Sequence, residues 1–555
     1  MKKVIFKFCL FILVLVMFMS LFSGCTSSEP ETQNAEPVVG ETDETDTEDP
    51  ISTGETPPAK LTYWEGLGRA SNVHESLATH PGWIELQKRT NVEIEFWTPS
   101  VGNEAEQFNL MIVSKELPDM ISWGWLNAPG GPSSYLKDGI IIPLNDHLEK
   151  SAPDLLKYYN EHPEIKRQVI LDDGTQYIFP CIYSNSSLAY FMGPMVRKDI
   201  LEKVDGLDMT NFPESMETID DWERVLTILK KSGLKGDSGR DIIPLSLKLA
   251  NFKDSHFIVG AWGITMSFSH DNGIVQYGPT NPKYKEFLTL MNKWYNEGLL
   301  DSEFAGNTDA MIDEKVLDNR VATTVHSMGG GVTRYTSLAR EDNPNFLLNM
   351  TKYPVKTKGE TPIASFRTFD FTGGGVAITT ACKDIEAAVR LLNYDYSEEG
   401  YILANFGIEG ETFNWVDDYP TYTDIIMNNP DGLSRDIATG SFVRVGNNVG
   451  IKSGEFLEQR DSLPEQLGPN GRQLWMETLN DILIPPVTPT PEESGEFASI
   501  MGEINTYVDE MTVGFIMGDV PLDEFDNFVD ELKQMNIETA IKLRQQQLDR
   551  YFERP

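Results

Sequence analysis

Carboxylate side chains are the most abundant chemically active groups in this chain, and they raise the question of acid–base catalysis. The 555 residues include 85 Asp and Glu but only seven His. Two carboxylates flanking a glycosidic bond suffice for glycoside hydrolysis, yet no Asp/Glu pair stands in a recognisable catalytic setting. The sequence also lacks a Gly-x-Ser-x-Gly elbow, a His-Glu-x-x-His motif and a phosphate loop. A secreted glycoside hydrolase is kept as an alternative, without a motif in its favour.

Two stretches, SMGGGV (Ser327–Val332) and TGGGVA (Thr372–Ala377), have the glycine-rich composition of phosphate-binding loops. Neither is followed by the Lys-Ser/Thr pair that a phosphate loop requires. We interpret both as bends at strand ends.

The N-terminus predicts a secretory leader. Lys2, Lys3 and Lys7 precede an apolar run, Phe8–Phe22, which at about 15 residues is shorter than the ~20 of a spanning helix. The run ends in Ser23-Gly24-Cys25, which resembles the lipobox of bacterial lipoproteins, although Phe22 stands where Leu is usual. The resemblance implies a signal peptide over 1–24 and a diacylglycerol on the Cys25 thiol, with an ordinary signal peptide as the alternative.

The segment that follows Cys25 predicts a disordered tether over 25–57. Residues 26–58 contain no Lys, Arg or aromatic residue and consist largely of Glu, Asp, Thr, Ser and Pro. Such a composition buries too little apolar surface to fold, and its like charges keep it extended. We therefore expect acyl chains to hold the protein at the outer face of the cell membrane while the folded part stands away from it.

Charge and cysteine content narrow the choice of partners. The formal charge is −39, which disfavours nucleic acid because that ligand is bound through Lys and Arg. It also disfavours a polyanionic ligand unless a local basic patch overrides it. Of four cysteines, Cys181 and Cys382 remain in the folded part, and they are interpreted as buried thiols, with a disulfide as the alternative.

The order of predicted elements favours an α/β fold. Strands are predicted at Leu61–Gly66, at Val92–Trp97 and ending at Trp123, with helices between them, and this alternation indicates a parallel sheet. Three further strands are predicted at Gly139–Asp146, Asn319–His326 and Gly373–Thr380. Thr218, with Asp221 three residues on, predicts a helix start, and the last 65 residues are predicted helical. Trp222, Trp294 and Trp475 fall inside helical patterns and are expected in the core.

Several blocks, taken in order, resemble the extracellular solute-binding proteins of sugar ABC importers, and the large lipoprotein branch of Gram-positive bacteria in particular. The blocks are ELPDMISW, DGIIIPLNDHLEKSAPDL, DDGTQYIFP, VRKDIL, WYNEGLLDSEF, CKDIEAAVRLLNYDYSEEGYILANFGIEGETF and the segment Val520–Asp526. Each block is a weak signal alone. Their joint order covers nearly all of 60–555.

This resemblance implies an α/β, two-lobe fold of the periplasmic-binding-protein kind (type II), with an interlobe cleft and extra C-terminal helices. The first lobe would comprise 58–185 plus 375–430, and the second 186–374 plus 431–555. The chain would cross between lobes near Phe179–Tyr190 and Phe369–Val376, and the lobes would close over ligand by hinge motion.

The resemblance also implies a function. The protein would be a membrane-anchored monomer that captures a neutral carbohydrate, an oligosaccharide by family precedent, for the permease subunits of an ABC importer, without catalysis or cofactor. Another kind of surface lipoprotein is the remaining alternative. Aromatic faces and hydrogen-bonding groups at strand ends and loops would contact the sugar. The candidates are Trp64, Glu65, Trp123, Trp125, Tyr183, Arg197, Trp262, Arg367 and Trp415.

Many relatives carry a calcium loop where this chain reads KKSGLKGDSGRDIIPLSL. Only Asp237 and Asp241 remain there as acidic residues, whereas calcium takes six to eight oxygen ligands. We therefore predict no metal at this position.

Overall fold

The computed structural model describes residues 57–184, 186–340, 342–446, 449–461 and 470–555. The predicted leader, Cys25 and nearly all of the predicted tether lie outside these residues. None of the helices in this part of the chain combines the length and apolar character needed to cross a membrane.

Fourteen strands are present in the described residues. In chain order they are β1 (Ala59–Trp64), β2 (Val92–Trp97), β3 (Met120–Trp123), β4 (Phe179–Tyr183), β5 (Met192–Arg197), β6 (Ile243–Leu245), β7 (Phe268–Asp271), β8 (Ile274–Tyr277), β9 (Val321–Ser327), β10 (Leu348–Met350), β11 (Phe371–Ile378), β12 (Phe413–Val416), β13 (Tyr419–Tyr422) and β14 (Gly450–Lys452).

Helices cover both sheets and form the C-terminal part of the chain. They are α1 (Pro81–Thr90), α2 (Glu104–Ser114), α3 (Gly131–Lys137), α4 (Asn145–Ser151), α5 (Pro153–Glu161), α6 (Pro163–Val169), α7 (Ser186–Ala189), α8 (Lys198–Leu201), α9 (Ile219–Lys231), α10 (Leu249–Ser255), α11 (Pro282–Asn296), α12 (Asp309–Leu317), α13 (Arg334–Ala339), α14 (Ile385–Tyr394), α15 (Glu398–Asn405), α16 (Asp424–Met427), α17 (Arg435–Phe442), α18 (Gly454–Asp461), α19 (Asn470–Met476), α20 (Pro491–Met517), α21 (Phe525–Gln534) and α22 (Ile537–Glu553).

The first lobe is built on a six-stranded sheet of order β14-β4-β11-β3-β1-β2. β1 pairs in parallel with β2 and β3, as the strand–helix alternation predicts. β11 returns from the second lobe and pairs antiparallel with both β3 and β4, so the sheet is mixed. The carboxyl ends of β1, β3 and β4 therefore lie at one edge, which is where open α/β sheets place their ligands.

The second lobe is built on a four-stranded sheet of order β10-β5-β9-β6. β5 pairs antiparallel with β9 and β10, and β6 pairs in parallel with β9. Its core also takes in the C-terminal helices, whose apolar residues share one cluster with Trp222, Trp294 and Trp475, all three fully buried. The core placement predicted for these tryptophans is confirmed.

Local signals in the sequence account for the helix boundaries that they predicted. The Thr218 hydroxyl accepts a hydrogen bond from the Asp221 N–H, and the Asp221 carboxylate accepts one from the Thr218 N–H, so α9 begins with a complete capping box. After α11, Gly298 adopts a left-handed conformation with φ of 68°, which glycine reaches without steric cost.

The last crossing between the two lobes lies later in the chain than the sequence predicted. It leaves the first sheet after β4 and enters the second at β5, and it returns to the first at β11. β14 then pairs in parallel with β4, although the sequence analysis assigned everything after residue 430 to the second lobe. The segment 400–461 packs beside the first sheet around its own apolar cluster, which includes Phe406, Phe413 and Phe456.

Two other sequence expectations have definite outcomes. The strand predicted over Gly139–Asp146 is reduced to one isolated bridge between Ile141 and Thr379, and α4 begins at Asn145. Buried positions at 140, 141 and 144 produce the strand-like pattern. Cys181 and Cys382 are both free thiols and both buried, so the disulfide alternative is not observed.

Candidate functional site

A cavity of about 340 Å³ lies between the two sheets. The first lobe contributes Cys181, Tyr183 and Lys452 from β4 and β14, and the second contributes Ser327 and the glycines after it. Helices α17, α18 and α19 close the remaining side. The volume lies at the lower end of the ~300–1,000 Å³ usual for small-molecule sites.

A continuous chain of ion pairs runs along one wall of this cavity. Asp436 accepts from Arg69 Nε at 2.6 Å and from Arg460 Nη1 at 2.8 Å. Asp461 accepts from Arg460 Nε at 2.8 Å and from Arg472 Nη2 at 3.1 Å. The order is thus cation, carboxylate, cation, carboxylate, cation.

This ion-pair chain, defined as Arg69, Asp436, Arg460, Asp461 and Arg472, joins elements of both lobes. Arg69 follows β1 in a short helical turn that packs against α17. Arg472 lies on α19. Trp475 of the same helix is buried in the second-lobe core, and its indole N–H donates to the Thr351 carbonyl at 3.0 Å. A ligand that contacts the chain therefore contacts groups held by either lobe.

Lys452 forms part of the cavity floor and is almost fully buried, at 3 % exposure. Burial lowers the pKa of its ammonium group, and the nearby Cys181, Asp395 and Glu65 side chains oppose that shift. Asp395 is held in a bidentate pair by Arg444, with both hydrogen bonds under 3.0 Å. The floor is therefore a desolvated cation next to a neutral pair.

The glycine-rich stretch Ser327–Val332 forms the second-lobe wall, at the end of β9 as the sequence predicted. The Ser327 hydroxyl accepts from the Gly330 N–H at 3.3 Å and starts a short turn of π-helix. A Cβ at Gly329 would lie 3.2 Å from Arg460 Nη2. Glycine here permits the close approach of this turn to the ion-pair chain.

Aromatic rings supply the apolar part of the lining. Tyr183, Phe191 and Phe456 line the cavity together with Leu188, Met328 and Leu457. Phe191 is held edge-on by Phe366, with ring centroids 4.5 Å apart. Aromatic faces beside charged hydrogen-bonding groups suit a ligand with both apolar and hydroxylated surfaces.

Of the nine residues proposed from sequence, Tyr183 is the one that the structure places in this cavity. Glu65 lies behind the floor, buried, and accepts from the Tyr63 hydroxyl at 3.1 Å. Burial raises the pKa of Glu65 to about 7, with hydrogen bonds from Ser122 and Tyr63 opposing the shift. Glu65 therefore acts on the cavity through its charge rather than by direct contact.

The three candidate tryptophans near β1 and β3, namely Trp64, Trp123 and Trp125, belong to an aromatic cluster at the carboxyl ends of these strands. Trp64 packs against Trp123 with ring centroids 5.4 Å apart, and Trp123 stacks on Phe108 at 4.3 Å. Trp64 also borders a separate open groove beside α2, together with Trp97. Trp125 is fully buried, and its indole N–H donates to the Ile121 carbonyl, so we withdraw it as a ligand contact.

The other four candidates are dispersed. The Arg197 guanidinium is buried, pairs with Asp199 at 2.8 Å and lies 3.9 Å from the centre of the Phe346 ring, which gives it a structural role in the second lobe. Three more positions lie outside the cavity lining: Trp262 donates to Glu286, Arg367 lies over Phe369 on the crossing chain, and Trp415 is exposed on the β12–β13 hairpin.

Sequence reasoning did not find the charged residues of the cavity. Asp436 joins Arg69, 367 positions away, to Arg460, 24 positions away. Each of these residues is a single charge on a short helix or loop, without a motif around it. The one local signal was the glycine-rich stretch after β9.

In the loop where the sequence predicts no metal, both acidic side chains pair with other side chains of this chain. Asp237 accepts from Asn319 at 2.7 Å, and Asp241 pairs with Lys235. Across the described residues, no group of three or more His, Cys, Asp or Glu is arranged to hold a metal ion.

A family model for bacterial extracellular solute-binding proteins matches residues 76–402 of this chain. The fructooligosaccharide ABC transporter substrate-binding protein FusA of Streptococcus pneumoniae serotype 4 is 24% identical over 497 residues, which cover 84% of this chain and 86% of that protein. Lipoprotein LipO of Bacillus subtilis strain 168 is 24% identical over 360 residues, or 63% of this chain and 66% of that one.

Among solved structures, the chain is similar to an HMO-binding, ABC-transporter-associated solute-binding protein from Bifidobacterium longum infantis. The TM-score is 0.71 at 17% identity, over 90% of this chain and 100% of that one. At this identity the likeness concerns the fold, and it confirms the predicted two-lobe α/β class.

Proposed function

The chain belongs to the family of bacterial extracellular solute-binding proteins, and we propose that its interlobe cavity captures a saccharide for delivery to an ABC importer. The observation that carries this proposal is the cavity lining, in which Tyr183, Phe191 and Phe456 stand beside a wall of ion-paired side chains. Rings of this kind pack against the C–H face of a sugar, while carboxylates and guanidinium groups bond its hydroxyls.

Closure of the lobes follows from the same lining. The cavity takes residues from both sheets, so a bound saccharide makes more contacts when the lobes are together than when they are apart. Ligand can shift this equilibrium only through such a difference in affinity for the two states. The closed, loaded form would be the one that the permease subunits recognise.

The test is a panel of mono- and oligosaccharides titrated by calorimetry, with thermal unfolding as a second readout. We expect saturable 1:1 binding by at least one saccharide and no release of reducing sugar. Removing a lining ring with Phe456→Ala should weaken binding by roughly ten- to a hundredfold, since burial of a large apolar side chain is worth ~1.5–3 kcal/mol. Trp415→Ala, on the exposed hairpin, is the matched control and should bind as the unchanged protein does.

Two results would count against the proposal. Turnover of a bound saccharide would place the protein among glycoside hydrolases instead. Binding that survives both Phe456→Ala and Tyr183→Ala would show that the ligand lies elsewhere.

Attachment to the membrane through Cys25 is part of the proposal, supported by the leader and by similarity to a protein named as a lipoprotein. Cys25→Ala should leave the protein unprocessed or release it from the membrane, whereas Cys181→Ala, at a buried thiol, should not. Fractionation of cells followed by detergent-phase partitioning measures this. Retention of the Cys25→Ala variant in the detergent phase would contradict it.

A further inference from the structure

The cavity carries excess positive charge inside a chain whose formal charge is −39. Among the described residues, its lining includes four cationic side chains, Arg69, Lys452, Arg460 and Arg472, against two carboxylates, Asp436 and Asp461. We infer that the ligand is an acidic saccharide, one whose carboxylate or sulfate group is bound by these cations. This inference rests on the proposed saccharide-binding function and narrows its substrate class.

The carboxylates of the ion-pair chain do not neutralise all of its guanidinium groups. Three guanidinium groups share two carboxylates, because Arg460 pairs with both Asp436 and Asp461. One cation is therefore left over at the end of the chain. The Nε of Arg472 is buried and has no hydrogen-bond partner among the described residues.

Burial makes the excess significant. The side chains of Arg460 and Arg472 are 9% and 5% exposed. Burial lowers the pKa of Arg472, and the neighbouring Asp461 opposes the shift. A desolvated cation without a full counter-charge is destabilising, and an anionic ligand group would supply that counter-charge.

The acids behind the cavity offset this excess only in part. Asp395 is committed to Arg444. Glu65 interacts electrostatically with Lys452, but burial raises the pKa of Glu65 to about 7, so it is only partly ionised at neutral pH. The resemblance implies a neutral carbohydrate and the net acidity of the chain disfavours a polyanionic ligand, but the local charge of the cavity favours an acidic saccharide.

Guanidinium groups also suit the geometry of such a ligand. A planar guanidinium presents two parallel N–H donors that match the two oxygens of a carboxylate or sulfate. A neutral saccharide offers single hydroxyls, which the carboxylates Asp436 and Asp461 would serve equally well. The excess of donors over acceptors therefore distinguishes an acidic ligand from a neutral one.

The experiment titrates the full chain in detergent with two matched arms of oligosaccharides. One arm holds glucuronate, galacturonate, mannuronate and guluronate oligomers together with sulfated galactose oligomers. The other arm holds the same oligomers after reduction of the carboxyl groups or removal of the sulfates, along with neutral fructose, glucose, galactose and xylose oligomers. The separate uronate and sulfate sets show which anionic group is bound.

Three variants accompany the titration. Arg472→Met removes the leftover cation. The preference for the acidic over the matched neutral saccharide should fall by at least about tenfold, because a hydrogen bond to a charged group is lost. Asp436→Asn removes a competing carboxylate and should increase that preference, which guards against a misfolded Arg472→Met variant. Arg240→Met, at an exposed arginine paired with Glu314, is the control and should leave the preference unchanged.

The outcomes separate this inference from the proposed function. Tightest binding in the acidic arm, with a preference that falls in Arg472→Met and rises in Asp436→Asn, supports it. Tightest binding in the neutral arm overturns it and leaves saccharide capture intact. Failure of every saccharide in both arms overturns both.

Discussion

At the residue scale, some tryptophans pack in the core and others lie at the surface. Substituting a core tryptophan should therefore destabilise the protein more than substituting a surface one. Trp294 is fully buried and donates its indole N–H to Glu223 at 3.0 Å, whereas Trp415 is 46% exposed. Trp294→Ala should lower the free energy of unfolding by ~3–5 kcal/mol as a large-to-small core substitution. Trp415→Ala should change it by less than about 0.5 kcal/mol. Urea unfolding measures both, and equal losses in the two variants would contradict the assigned burial.

The buried carboxyl group of Glu65 makes the free energy of unfolding of the protein depend on pH. Burial raises its pKa from 4.5 to about 7, so the folded protein holds this proton more tightly than the unfolded chain does. The contribution of Glu65 to stability therefore falls as pH rises from about 4.5 to 7, by an amount on the order of 3 kcal/mol.

The corresponding test compares Glu65→Gln with the unchanged protein between pH 5 and pH 8. The neutral amide does not ionise, so the variant should gain stability relative to the unchanged protein as pH rises. All other acids titrate in both proteins, so their contributions cancel in the difference between the two free energies of unfolding. Glu93→Gln, at an exposed carboxylate paired with Lys60, is the control. A difference for Glu65→Gln that stays constant with pH would contradict the raised pKa.

At the element scale, the capping box of α9 should stabilise the N-terminal end of that helix, which packs in the second lobe. Thr218→Ala removes the acceptor for the Asp221 N–H and should cost about 1 kcal/mol of stability. Thr289, exposed on α11 with its hydroxyl donating to the Lys285 carbonyl, is the matched control. Thermal unfolding should show a lower Tm for Thr218→Ala than for Thr289→Ala, and equal Tm values would show that the cap contributes little.

Strands and helices with signals inside a few neighbouring residues could be predicted from the sequence, and pairings between distant segments could not. β2 and the start of α9 carry signals within a few residues, namely strict alternation and a capping pair, and both were predicted. The apolar positions at 140, 141 and 144 mimic a strand but are satisfied by packing, with a single bridge to Thr379. The pairing of β14 with β4 joins residues some 270 positions apart, and no local pattern encodes it.

The candidate site was predictable in its place but not in its composition. The predicted strand ends indicated the interlobe edge, and Tyr183 lies there. The glycine-rich stretch after β9 was predicted only as a bend at a strand end. Trp125 has the residue type of a sugar contact, but its side chain fills the first-lobe core instead. Arg69, Asp436 and Arg460 become neighbours only through tertiary packing, so the charges that define the cavity could not be read from spacing.

At the scale of the whole molecule, two lobes joined by crossing segments surround a charged cavity. We propose that a saccharide bound there draws the lobes together. Neither ring contacts nor ion pairs alone establish this, because a ligand with equal affinity for open and closed forms would produce no closure.

Small-angle X-ray scattering during a saccharide titration measures lobe closure in solution. We expect the radius of gyration to decrease, and the decrease to saturate at the saccharide concentration at which calorimetry shows saturation. Phe456→Ala should shift both curves together to higher concentration. Saturable binding with an unchanged radius of gyration would show that the lobes do not close over the saccharide.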